Sequence, residues 1–231
     1  RHGALSVMEY EKMGYLPEAL VNYLARLGWS RGDQEIFSRE ELRTLFSVDN
    51  LGSSPSVFDL KKLEWLNAQY IMQADPKRLR DLVMDVIRYE VGEAEASAVD
   101  QNVLLKAMPL LQPRAKNLVD LAEASRFFLV DAAFLQYDEK AVQKFLTPET
   151  ISLLAEYAEE LREFDDFDHE ALEDMAKRFI EARGLTFKDI AQPIRVALTG
   201  KTASPGLFET MAVLGKDQTM KRLDKVQDFG L

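Results

Sequence analysis

The chain has no cysteine. That excludes disulfides, thiolate zinc sites and a cysteine nucleophile, and it fits a reducing cytosol. Histidine is nearly as scarce, with His2 among the first residues and His169 inside the acidic run Asp165 to Asp174. A histidine among carboxylates with no second His or Cys nearby makes a poor transition-metal site, so His169 reads as a surface residue in the first turn of a helix. Asp165, Asp166 and Asp168 lack the glycine-bearing spacing of a calcium loop and read as a solvated helix start. No metal site is expected. There is no run of eighteen apolar residues, so no membrane-spanning helix is expected. The first residues lack a basic-then-apolar signal segment, and a cytoplasmic protein is the expectation. No glycine-rich phosphate loop precedes a helix and no nucleophile–base pair is visible, so no catalytic residue is expected in this chain.

What is present is an ordinary apolar fraction of 47% over 231 residues, enough to bury a core in one large domain or two to three small ones. The net charge of −10 is unevenly spread. Thirteen acidic and three basic residues lie between Asp138 and Asp174, so the rest of the chain is neutral. From Leu185 to Lys225 seven Lys/Arg face four Asp/Glu. Two readings of this pattern stand side by side. One is a solvated acidic helix face beside a neutral surface. The other is an acidic back and a mildly basic front turned to phosphates.

Helical signals dominate. Leu16, Leu20, Tyr23, Leu24 and Leu27 share a face, with Pro17 in the first turn and Gly28 as a stop. Ser38 and Glu41 have capping-box spacing, Asp59 opens a helix through Trp65 to Met72, and Asp75-Pro76 opens the next. Further helices are expected over Ser97 to Leu111, over Leu118 to Gln136 as one long element, from Thr147-Pro148 to Arg162, and from Asp168 to Gly184. Three short ones follow, at Pro193 to Thr199, from Ser204-Pro205 to Gly215, and over Lys216 to Val226. Strand candidates are few: Leu5 to Met8 and Ser56 to Phe58. The fold class is therefore mainly all-α with at most a small two-strand sheet near the amino terminus.

Four segments and the opening tetrapeptide carry a family resemblance. Gly14 to Ser38 (GYLPEALVNYLARLGWSRGDQEIFS) resembles the stretch after the ATP-loop signature of bacterial-type glutamyl-tRNA synthetases, and Arg1-His2-Gly3-Ala4 resembles the end of that family's KLSKRHGA motif. SPSVFDLKKLEWLNAQYI (Ser54 to Ile71), PRAKNLVDLAEASRFFL (Pro113 to Leu129) and the block from Pro193 to Leu223 resemble later family motifs, in order and at family-like spacing. The resemblance implies the carboxy-terminal half of a synthetase, starting just after the catalytic nucleotide-binding domain, with Arg1 as the remnant of its ATP motif. It implies a stem-contact domain over 1–75 and two helical anticodon-binding domains over 76–138 and 139–231. The parent would attach glutamate to tRNA with ATP and magnesium held in its other half. This part would need no cofactor, and would bind tRNA(Glu) as a monomer.

The resemblance also assigns roles. Arg114 would lie against the third anticodon base. The pairing edge of a cytosine offers O2 and N3 as acceptors, which fit paired guanidinium donors, whereas guanine puts N1–H and N2–H there. Family members that charge both glutamate and glutamine tRNAs often carry an uncharged side chain at this place. The family's Thr three residues on is Asn117 here. Read from sequence alone, Arg114 is also a helix-start arginine that can pair with Asp120. Arg195, Ser204 and Pro205 would line the pocket for the other anticodon bases, with Ser204 also capping a helix and Gly200 and Gly206 allowing close backbone approach. Arg26, Arg31, Lys62 and Lys201 are candidate phosphate contacts. Tyr23, Trp29, Trp65 and Phe127-Phe128 read as packing residues before stacking platforms. Two rivals stay open: a helical protein-interaction module with an acidic face, and a synthetase part that also accepts tRNA(Gln).

Overall fold

The computed structural model describes residues 6–52 and 57–230. Among them there is no strand, and the chain forms two compact units. The first comprises Arg1–Val99 and Leu111–Ala124, the second Asp100–Leu110 and Ser125–Leu231.

The helices of the first unit are α1 (Val7–Lys12), α2 (Pro17–Gly28), α3 (Arg39–Leu45), α4 (Leu60–Gln73), α5 (Pro76–Val91) and α6 (Glu93–Ser97). Their starts follow the local chemistry. Ser38 and Glu41 close a reciprocal capping box, Asp59 accepts the N–H groups of Lys61 and Lys62, and Asp75 accepts those of Lys77 and Arg78 ahead of Pro76. Helices α2 and α4 bury their apolar faces in one cluster of Tyr15, Leu20, Tyr23, Leu63 and Leu66. A second cluster packs Trp29 on Phe37, ring centroids 5.1 Å apart, with Leu42 beneath. Tyr23 and Trp29 are thus core residues, and the Tyr23 hydroxyl accepts the Asp59 N–H at 2.6 Å.

Two asparagines organise this unit from inside. Asn22 is fully buried; its amide donates to the Glu35 carbonyl at 2.9 Å and its oxygen accepts from the Phe37 N–H at 2.7 Å and the Tyr70 hydroxyl at 3.0 Å. Asn67, also fully buried, accepts the Leu16 N–H at 2.8 Å and donates to the Lys116 carbonyl at 2.7 Å.

The second unit contains most of α7 (Gln101–Leu111) and the end of α8 (Leu118–Leu129), then α9 (Glu139–Phe145), α10 (Pro148–Arg162), α11 (His169–Arg183), α12 (Phe187–Thr199) and α13 (Leu207–Lys225). Helices α10 to α13 form a bundle whose centre holds Leu154, Tyr157, Phe179, Ile194, Met211 and Leu223. The Tyr157 and Phe179 rings meet edge to face at 5.2 Å.

Several expectations need correction. Val7 and Met8 belong to a helix, because Ser6 and Glu9 form a capping box that starts α1. Val57 and Phe58 are in no regular element, while Leu5 and Ser56 lie outside the described residues. The long helix foreseen from Leu118 stops at Leu129. Asp131 accepts the Ala133 N–H at 2.9 Å and turns the chain into a short 3-10 segment, Ala132–Phe134. The carbonyls released there are taken up by basic side chains from α13. Arg222 donates to Phe127 and Val130 at 2.7 and 2.8 Å, and Lys225 to Ala132 and Ala133 at 2.7 and 3.0 Å. That signal lies more than ninety residues away in sequence. Helix α12 begins at Phe187, not Pro193, on a capping box of Thr186 and Asp189, and Pro193 is tolerated inside it. The helix foreseen from Ser97 starts at Gln101, with Asp100 accepting the N–H groups of Asn102 and Val103, while Ser97 ends a separate short helix, α6, that was not foreseen. Helix α9 had no counterpart among the expected elements. Gly215, with φ of 74° and ψ of 167°, breaks α13 where a boundary was expected.

Candidate nucleic-acid interface

Arg114 ends a 3-10 turn, Gln112–Arg114, and is exposed. The turn is held from several sides within the first unit. The Gln112 amide donates to the Met72 carbonyl at 2.8 Å, the Lys116 ammonium lies 3.2 Å from Glu64, and Asn67 holds the Lys116 carbonyl. Asn117 sits just before α8 and its side-chain oxygen accepts the Asp120 N–H at 2.8 Å, so the asparagine in place of the family's Thr serves as a cap. The Gly14 carbonyl accepts the Leu118 N–H at 2.9 Å. Gly14 has φ of 81°, and a Cβ there would approach the Leu118 and Val119 nitrogens to 2.8 Å, so only glycine fits. The start of α8 is therefore pinned to the opening motif, and the arginine is displayed on a fixed backbone.

Arg195 is arranged differently. It lies on α12, half-buried, and its guanidinium donates to the Ser204 hydroxyl and, at 2.8 Å, to the Pro205 carbonyl. The structure thus brings Arg195, Ser204 and Pro205 together. Ser204 is not the helix cap: α13 starts at Leu207 with Gly206 in the cap position, because the arginine has recruited the serine hydroxyl and the carbonyl after it. Gly200 closes α12 with φ of 71°, and a Cβ there would collide with the Gln136 carbonyl. Its own carbonyl accepts the Asp138 N–H at 2.8 Å. Lys201 follows, exposed, at the turn closed by Thr199, whose hydroxyl accepts the Lys201 N–H at 3.2 Å.

Of the remaining candidate cations, Arg31 is exposed. Arg26 and Lys62 converge on Glu35 at 2.8 and 3.1 Å. Burial alone would raise the Glu35 carboxyl, but the hydrogen bond from Lys62 and the charge of Arg26 outweigh it and hold it below its ordinary value. These groups border a cavity of about 270 Å³ with Asn22, Asp59 and Trp65. Trp65 is exposed at 46%, which corrects the packing role expected for it. Phe128 is buried against Phe127, ring centroids 4.1 Å apart, as packing residues. His169 stands in the first turn of α11, 3.5 Å from Asp168. Arg1 lies outside the described residues.

Sequence reasoning missed Arg222. It is fully buried; besides Phe127 and Val130 it donates to the Leu198 carbonyl at 2.5 Å. Burial lowers its pKa to about 10. A guanidinium at carbonyls from the ends of two helices is favoured by their dipoles, and it fixes the end of α12 that carries Arg195.

With this geometry in view, comparison with known proteins is informative. A model of the anticodon binding domain matches residues 77–227. The chain belongs to that family. A model of the catalytic domain of class I tRNA synthetases (E and Q) matches residues 1–65. The glutamate–tRNA ligase of Syntrophobacter fumaroxidans is 47% identical over 99% of the chain and 48% of its own length. That of Nitratidesulfovibrio vulgaris is also 47% identical, over 97% of the chain and 48% of its length. The crystal structure of a glutamate–tRNA ligase from Elizabethkingia meningosepticum in complex with its amino acid superposes with a TM-score of 0.82 at 30% identity, covering 95% of this chain and 42% of that one. The chain spans about half the length of the curated relatives it matches, and the resemblance is to their carboxy-terminal part. Among the described residues no group of His, Cys, Asp or Glu is placed to hold a metal ion, and no helix is long and apolar enough to cross a membrane.

Proposed function

We propose that this chain binds tRNA(Glu) and reads its anticodon, as part of a cytoplasmic glutamate–tRNA ligase that attaches glutamate to tRNA with ATP. The match of the anticodon-binding-domain model over 77–227 carries this reading. Arg1 is kept as a remnant of the ATP motif, inside the stretch 1–65 that matches the catalytic-domain model, and ATP and magnesium are assigned to the rest of that domain. The division into a stem-contact part over 1–75 and two anticodon-binding parts over 76–138 and 139–231 is retained as a functional one.

Arg114 is the residue we assign to the third anticodon base. Its exposure on a pinned turn is what such a role needs, because a donor pair held in place discriminates by geometry. Facing cytosine, the guanidinium meets two acceptors. Facing guanine it meets donors, and leaving such groups unpaired costs roughly 1–3 kcal/mol, about five- to more than a hundredfold in affinity. Arg195, Ser204 and Pro205 are assigned to the other bases, with the loop preformed by the arginine. Arg31 and Lys201 are the outward cations suited to phosphates. Lys62 is half-exposed and can exchange Glu35 for one, whereas Arg26, 15% exposed, is better placed as a brace.

The test is Arg114→Gln, with affinities measured for tRNA(Glu) and for the same tRNA carrying guanine as third anticodon base. The expected result is a preference for cytosine that shrinks by about fivefold or more while folding is unchanged. Equal loss for both tRNAs would refute the role. A wild-type chain with no preference to lose identifies a part that accepts tRNA(Gln) as well.

A further inference from the structure

From Ile190 to Gly200, α12 is buried on every side except at Gln192 and Arg195. These two are three residues apart and share a face. Lys188, exposed, stands one turn before Gln192 on the same side. Opposite this opening lies α9, with Lys140 and Lys144 four residues apart and both exposed. Between them is a cavity of about 320 Å³ bordered by Lys140, Lys144, Phe145, Gln192 and Thr202. Thr202 belongs to the loop between Gly200 and Ser204, so the groove borders the loop that leads to Ser204.

The chemistry of this groove is one-sided. Neither Lys140 nor Lys144 has an ion-pair partner among the described residues, although both belong to the most acidic stretch of the sequence. Lys144 lies 5.0 Å above the Phe145 ring. The lining carboxylate, Asp138, is turned to the Ala141 N–H at 2.8 Å. The Gln192 side-chain oxygen is buried and accepts no hydrogen bond among the described residues. The wall thus offers two unneutralised cations, an aromatic ring and an open acceptor. A ligand with anionic groups, a flat face and hydroxyl donors satisfies all of them at once.

We propose that the groove between α9 and α12 holds the ribose–phosphate backbone of the RNA strand next to the bases that enter the Arg195–Ser204 loop. Lys140 and Lys144 neutralise phosphates, and the Gln192 oxygen accepts from a ribose 2′-hydroxyl. The acidic stretch then has its two opening lysines facing RNA, with Asp138 engaged as the cap of α9 and many of its other carboxylates on α10 and α11. This assignment rests on the tRNA-binding reading above and adds a contact to it.

The experiment measures tRNA(Glu) binding by the full 231-residue chain over a range of salt concentrations, for the wild type, Lys140→Gln/Lys144→Gln and Lys140→Arg/Lys144→Arg. Each phosphate contact to a single strand contributes roughly 0.7 to the slope of log affinity against log salt, so the glutamine pair should flatten it by about 1.4. Affinity at low salt should fall by about tenfold or more, the arginine pair should keep the wild-type slope, and the preference for the third anticodon base should be unchanged in both. The same slope and affinity in the glutamine pair as in the wild type overturns the groove and leaves anticodon reading standing. A flattened slope in a chain that ignores the anticodon does the reverse. A wild-type chain that binds no tRNA removes both. A polyglutamate peptide that binds more tightly than tRNA, and loses that binding in the glutamine pair, assigns the groove to an acidic protein segment and overturns RNA.

Discussion

Arg114 and Arg195 are the same residue type put to opposite uses. Arg114 is exposed at the end of a turn whose backbone is held by other parts of its unit, namely Asn67, Gln112 and Gly14. Arg195 is half-buried and shapes its own loop by donating to Ser204 and Pro205. In one case the scaffold positions the arginine, and in the other the arginine positions the scaffold. Substituting Arg114 therefore removes a contact, whereas substituting Arg195 removes a contact and the shape of the loop around it.

Breaking the brace under the first arginine should have the largest effect. Asn67→Leu leaves the Leu16 N–H unpaired in a buried place, at roughly 1–3 kcal/mol, and removes the part-buried bond to the Lys116 carbonyl, worth about 1 kcal/mol. Urea denaturation should show a total loss of about 2–4 kcal/mol. Next comes Gly200→Ala in the second unit. The positive φ and the collision with the Gln136 carbonyl together should cost at least about 2 kcal/mol, seen as a lower thermal midpoint. Arg195→Leu should cost about 1–3 kcal/mol by the same measurement, because it strips charged hydrogen bonds from Ser204 and Pro205.

A smaller, pH-gated effect is expected at Glu35. Its folded pKa lies below the ordinary 4.5, so its contribution is present above that value and disappears as pH falls through the folded one. The melting-temperature gap between wild type and Glu35→Gln should be widest near neutrality and close as the pH falls below 4.5 and through the lowered folded value. A gap that widens on acidification would overturn the assignment of Lys62 and Arg26 as its partners. Smallest of all is Arg114→Gln, whose stability should stay within about 0.5 kcal/mol of wild type while anticodon preference changes.

The helical class and many helix starts were legible because they are local. Ser38 with Glu41, Asp59, Asp75-Pro76, Thr147-Pro148 and Asp168 each carry their own cap, and each does what its chemistry indicates. What was illegible depended on partners distant in sequence. The end of α8 is set by Arg222 and Lys225, and no pattern near Leu129 announces them. Ser204 has the look of a cap beside Pro205, yet an arginine nine residues earlier claims its hydroxyl. Trp65 lies among apolar neighbours in sequence but points out of α4, since Leu63 and Leu66 take the inward positions. The proximity of Arg195, Ser204 and Pro205 was legible through the family motif. The groove beside them was not, because Lys140 and Lys144 are hidden in an acidic stretch until α9 meets α12.

Asn67 has one further consequence. Its amide joins Leu16, inside the stretch matched by the synthetase catalytic-domain model, to Lys116, two residues past Arg114. A strut with both ends occupied has no slack. If the Arg114 turn shifts when a nucleotide docks, the displacement either snaps one of two short bonds or is delivered to the first turn of α2, at the far end of the strut.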